Sequence, residues 1–82
     1  MASNEALIAG VDAATTGDWD AAHKIAQFNE TDRDYCWLHA ILHKIEGDES
    51  NARYWYCRSG HAFEAYADPK TELAAMKAAL TY

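Results

Sequence analysis

Proline occurs once and glycine four times in these 82 residues. No stretch alternates apolar and polar side chains as a half-buried strand does, so a sheet is not expected and helices are. No apolar run approaches the ~20 residues that span a bilayer. The amino-terminal MASNEALIAG has neither the basic start nor the long apolar stretch of a secretory signal. Basic residues are also few: seven Lys and Arg stand against thirteen Asp and Glu, giving a formal charge of −6, and the seven form no run. Binding to a phosphate backbone needs clustered cations that displace counterions, so neither nucleic acid nor an anionic membrane surface is an expected partner. Cys36 and Cys57 are too few to staple a small secreted scaffold and read as free thiols of a cytoplasmic protein.

Missing motifs narrow the chemistry further. The chain has no Gly-x-Ser-x-Gly elbow, no glycine-rich loop leading into a helix to cradle phosphate, and no loop of alternating oxygen ligands for calcium. Cys36 and His39, three residues apart, stack only loosely and have no third group to orient them, so a thiolate nucleophile finds little support. A binding role is expected in preference to catalysis, with no cofactor.

Half of the residues are apolar, and the length suits one domain spanning residues 1–82. Five helical segments fit the punctuation. The first runs from about Ser3 to Thr15, with Leu7, Val11 and Ala14 on one stripe. Gly17 ends it, Asp18 caps the next, and Trp19, Ala22 and Ala26 follow at helical spacing through about Phe28. Thr31 with Asp34 resembles a capping box that opens a third helix, which Gly47 closes. Asp48 or Ser50 caps a fourth, with Ala52, Trp55, Tyr56 and Ser59 inward and Gly60 as its stop. Asp68 and Pro69 start the last helix, about 69–81, striped by Leu73, Met76 and Leu80. Short turns make neighbouring helices antiparallel, which gives an all-α fold of two hairpins, about 3–28 and about 32–59, plus a terminal helix. Gly17-Asp18 and Gly47-Asp48 lie 30 positions apart, as do Ala22 and Ala52, a weak internal repeat.

Gly47, Asp48, Ala52 and Tyr56 match a Gly-Asp turn, an early small residue and a later aromatic. On these residues, and on Ala52 through Tyr56 followed by Gly60-His61-Ala62, the segment resembles the short-repeat branch of tetratricopeptide-like helical hairpins. It also resembles small microbial proteins that combine Trp-x-His-Ala-x-x-His (Trp37, His39, Ala40, His43), Glu-Gly-Asp (Glu46 through Asp48), Asn-Ala (Asn51, Ala52) and Tyr-Trp-Tyr (Tyr54 through Tyr56). The resemblance implies an architecture and a tendency to bind other chains, and it assigns no chemistry.

Two sectors of the third helix hold the candidate functional residues. Trp37, Ile41 and Lys44 would line the concave surface of stacked hairpins, where partner segments dock. Tyr54, Trp55 and Arg58 on the fourth helix extend that surface, with Arg58 one turn from Tyr54 and able to stack on it. Association with a protein partner or with a second copy is therefore the leading expectation, with these six residues as contacts. The competing reading is intramolecular: another helix covers Trp37.

The other sector carries Cys36, His39, His43 and Glu46. His39 and His43 sit one turn apart and can offer two nitrogens to one ligand. A small-molecule pocket built from His39, His43, Glu46 and Asn51 is the alternative function. A metal site using Cys36, His39 and His43 is its minor variant, with His23, Cys57 and His61 as residue types that could complete it. The residue after His39 is Ala40, so the zinc-peptidase motif fails. Against any site stands a packing reading, in which a small thiol and two imidazoles simply border the apolar stripe of Tyr35, Leu38, Leu42 and Ile45.

Overall fold

Each of the two Gly-Asp dipeptides stops one helix and starts the next. Gly17 and Gly47 take φ of +89° and +83°, a conformation that glycine adopts without steric cost. The following amide then reaches back to close the helix end: Asp18 N–H donates to Ala13 O at 2.8 Å, and Asp48 N–H donates to His43 O at 2.9 Å. The same two aspartates cap the helices they open, accepting from Ala21 N at 3.2 Å and Asn51 N at 3.3 Å. Two turns 30 positions apart thus have one construction.

The computed structural model describes residues 4–81. Along them run α1 (Glu5–Thr15), α2 (Trp19–Ala26), α3 (Arg33–Ile45), α4 (Glu49–Ser59), a single 3₁₀ turn (Phe63–Ala65) and α5 (Pro69–Leu80). No strand occurs among the described residues, and the protein is all-helical, as the pattern predicts. The expected start at Ser3 lies outside those residues.

Two boundaries differ from expectation. Helix α2 stops at Ala26, because Phe28 N–H bonds Ile25 O in a tightened last turn, and the Phe28 ring is exposed. Helix α3 is capped by Asp32, whose carboxylate accepts from Asp34 N and Tyr35 N. Thr31 is not the cap: its hydroxyl donates to Asn29 Oδ1 at 2.8 Å, and the amides at the helix start go to Asp32.

Helix α3 is the hub. Its Leu38, Ala40, Ile41 and Leu42 are fully buried against Leu7 and Val11 of α1, Ala22 and Ala26 of α2, Ala52 and Tyr56 of α4, and Leu73, Met76 and Leu80 of α5. Small residues let the axes approach closely. A Cβ on Gly10 would lie 2.7 Å from Leu38 Cδ2 and 3.0 Å from Ile25 Cγ2, so α1 rests on α2 and α3 through that glycine.

The last helix contributes more than its apolar stripe. Glu72 is completely buried, and its carboxylate accepts from Trp37 Nε1 at 2.8 Å, Tyr56 Oη at 2.8 Å and Lys44 Nζ at 2.9 Å. Lys44 also donates to the carbonyls of Phe63 and Tyr66, each at 2.9 Å. Burial, and then the bond to Glu72, push the Tyr56 phenol above its ordinary pKa. The His61 ring lies flat on Trp37, centroids 3.7 Å apart.

The expectation that Trp37, Ile41 and Lys44 line an open docking surface is therefore corrected. Trp37 and Ile41 are buried and the Lys44 side chain is 8 % exposed, and the cover is intramolecular: the segment after Gly60 and helix α5 close over this sector. Glu72 is the acceptor that Trp37 and Lys44 share, and with the two carbonyls it makes this sector's burial possible.

Removing one partner of this buried group should be severe. Lys44→Met is expected to cost about 3–5 kcal/mol in urea unfolding, because the carboxylate stays buried without its countercharge. Lys44→Met combined with Glu72→Gln should lose less than the sum of the single changes, which a double-mutant cycle would resolve.

Candidate functional site

Three of the four histidines converge where α2, α3 and α4 meet. Spacing along α3 does part of the work: His39 and His43, one turn apart, stack with ring centroids 4.9 Å apart and planes at 25°. Helix α2 delivers the third ring. Trp19 Nε1 donates to Leu42 O at 2.8 Å, which seats the start of α2 on α3. The Trp19 indole then stacks on His23, centroids 4.5 Å apart. As a result His23 Nε2 comes within 3.2 Å of His39 Nε2, and one nitrogen of each of the three residues lies within 4.8 Å of the others.

Two further residues complete the surround. From α4, Trp55 stacks on the opposite neighbour, its ring 3.9 Å from that of His39 and only 11° from parallel. At the end of α3, the Glu46 carboxylate bonds Nδ1 of His43.

Burial disfavours charge on two of the three rings. His39 is 3 % exposed, and its pKa falls from 6.5 to about 4, first through burial, then through His43 and His23. His23 is also lowered, by burial and then by His43, against the opposing pull of Glu46, Asp20 and Glu30. Neutral imidazoles carry one donor and one lone pair each. In the facing pair one Nε2 must donate and the other accept. Nδ1 of His39 is buried with no partner among the described residues, a deficit that ordinarily costs about 1–3 kcal/mol.

The geometry sorts the residues named from sequence. His39, His43 and Glu46 are brought together as expected, and Trp55, named as an association contact, belongs to the same cluster. Cys36 is corrected as a ligand: its Sγ contacts Glu30 O at 3.2 Å, toward the α2–α3 loop, and it stands outside the histidine group. Asn51 is likewise removed from the pocket, because its backbone and side-chain nitrogens are both bonded to Asp48 in the α4 cap. Cys57 is exposed, and His61 is engaged with Trp37. Tyr54 remains on the surface at 54 % exposure, with the Arg58 guanidinium 5.7 Å from its ring and from that of Trp55.

His23 was visible in sequence only as a residue of suitable type. A signal was present nonetheless: it follows Trp19 by one turn, so any packing that seats Trp19 on α3 presents His23 there too.

A separate groove of about 460 Å³ lies between the end of α1, the end of α3 and the start of α5, lined by Thr15, Thr16, Ile45, Pro69 and Leu73 among others. None of the cluster residues borders it. Asp48, which lies near His43 and Glu46, is occupied as a helix cap.

A scan against family models, a search of curated proteins and a search of solved structures each find no match to this chain.

The depressed histidine has a measurable consequence. Between its folded value of about 4 and its ordinary 6.5, the unfolded chain binds more protons at His39 than the folded one, so stability falls as pH is lowered through this window. The loss assignable to His39 should approach about 3 kcal/mol at the acid end. Unfolding free energies measured from pH 7 to pH 4.5 should show a shallower slope in His39→Phe than in the parent chain.

Proposed function

We propose that this protein is a small ligand-binding helical domain whose site is the cluster of His23, His39 and His43, with Glu46 at its edge. The observation that carries this reading is the state of His39. Its ring is buried, one nitrogen faces a second imidazole, and the other nitrogen has no partner among the described residues. An apolar ring of similar size would fill the same space between Trp55 and His43 without leaving a polar atom unpaired. A domain of this size has little stability to spare, so an arrangement that lowers it points to a use outside folding.

The scaffold we infer is a pair of tetratricopeptide-like hairpins in which the second helix of each contributes to the site, His23 from α2 and Trp55 from α4. Free Cys36 and Cys57 accord with a reducing, cytoplasmic setting.

A second reading keeps self-association or partner binding, confined now to the flank of α4. Its support is the exposed Tyr54 ring beside Arg58, an aromatic and a guanidinium of the kind that anchors interfaces. On that reading sedimentation equilibrium should find a dimer that Tyr54→Ala weakens; a monomer at every concentration excludes the self-association form of it.

The leading reading is tested by stability. His39→Phe should raise the unfolding free energy at pH 7 by about 1–2 kcal/mol, the order of an unmade buried hydrogen bond. A loss of stability in both His39→Phe and His39→Gln would mean that the imidazole serves the core, and the site reading would fall.

A further inference from the structure

We propose that the ligand of this cluster is a divalent transition-metal ion of the zinc class, held by one ring nitrogen each of His23, His39 and His43 with a fourth position open. The inference rests on the cluster being a binding site.

Distance is the first argument. Tetrahedral Zn–N bonds of ~2.0–2.1 Å place neighbouring ligand nitrogens roughly 3.3 Å apart. His23 Nε2 and His39 Nε2 already stand 3.2 Å apart, and the third nitrogen is no further than 4.8 Å from either. Metal binding would have to close the remaining gap by turning the rings within their stacks.

The donors are also held as ligands are. His39 and His43 sit on α3, the most buried helix of the fold, whereas His23 on α2 is only partly covered and marks a route of entry. The Glu46 carboxylate bonds Nδ1 of His43 and so holds the proton on that nitrogen, which leaves the lone pair on Nε2. A carboxylate on the far nitrogen of a histidine is the arrangement that orients metal-ligating imidazoles and raises their basicity.

The donor set and the local charge select the ion. All three ligands are imidazoles; Cys36 turns to Glu30 O and Cys57 lies at the surface, so no thiolate joins them. Nitrogen-only donors suit zinc, cobalt, nickel and copper(II), while copper(I) prefers sulfur. Neutral ligands leave the charge of a divalent ion to be balanced from outside the first shell. Glu46, Asp20 and Glu30 all act on His23 with the sign that favours positive charge there. Three nitrogens and an open position are also the composition of sites that hold an exchangeable water or substrate, as distinct from closed structural sites.

The test uses tag-free, chelator-stripped protein titrated with Zn(II) and with Co(II), followed by calorimetry, visible absorption and tryptophan fluorescence. One ion per chain should bind, with the visible bands of tetrahedral cobalt and no sulfur charge-transfer band. Co(II) should also quench Trp19 and Trp55, which stack on two of the ligands, and saturating metal should raise the melting temperature. His23→Ala changes a partly exposed residue and leaves the fold intact; it should weaken binding by at least the upper end of the ~10–100-fold range that Glu46→Gln should show. Absence of saturable binding of either ion below millimolar concentration overturns the assignment, as does binding that survives His23→Ala unchanged. If metal binding fails while His39→Phe stabilises the fold, the ion is wrong and the site stands. If His39→Phe and His39→Gln both destabilise it, both fall.

Discussion

The Glu72 carboxylate holds the third, fourth and fifth helices to one another. Trp37 and Lys44 reach it from α3, Tyr56 from α4, and the backbone that follows α4 supplies the remaining acceptors for Lys44. A charge buried this deeply is tolerable only when every donor around it is matched, and here the match involves side chains from three helices. The terminal helix therefore docks by specific polar contacts as well as by Leu73, Met76 and Leu80, and the position of α5 over α3 is fixed by what Trp37 and Lys44 require.

That docking divides the surface of α3 between two tasks. The sector of Trp37, Ile41 and Lys44 is spent on holding the carboxy-terminal part of the chain. The sector of His39 and His43 faces α2 and α4 and keeps one nitrogen, Nδ1 of His39, without a partner among the described residues. Both sectors pair an indole with an imidazole and a carboxylate, yet they differ in outcome. Around Glu72 every polar atom has a partner; around His39 one does not. The contrast within one helix separates a group that stabilises the fold from one that the fold accommodates.

Much of the architecture was legible in the sequence because it depends on local rules. Gly17, Gly47 and Gly60 mark helix ends, Asp18, Asp48 and Asp68 mark starts, and each acts within a few residues of itself. Three of the four site residues were legible for the same reason, since His39, His43 and Glu46 share a face by helical spacing alone. What escaped was long-range. Glu72 adjoins an apolar stripe, where a carboxylate normally faces water, and only the presence of Lys44, Trp37 and Tyr56 across the core turns it inward. His23 joined the cluster through the tertiary contact of Trp19 with Leu42 O. Trp37 illustrates the converse: an indole on an amphipathic helix has the same spacing whether a partner or the chain itself covers it.

All three tryptophans are stacked on a histidine: Trp19 on His23, Trp37 on His61 and Trp55 on His39. An excited indole gives up an electron more readily to an imidazolium than to a neutral imidazole. The intrinsic emission of this chain is thus governed by the ionisation of its neighbours as much as by contact with water. A change in brightness therefore reports events at the stacked rings, separately from the shift in colour that marks exposure of the indoles to water.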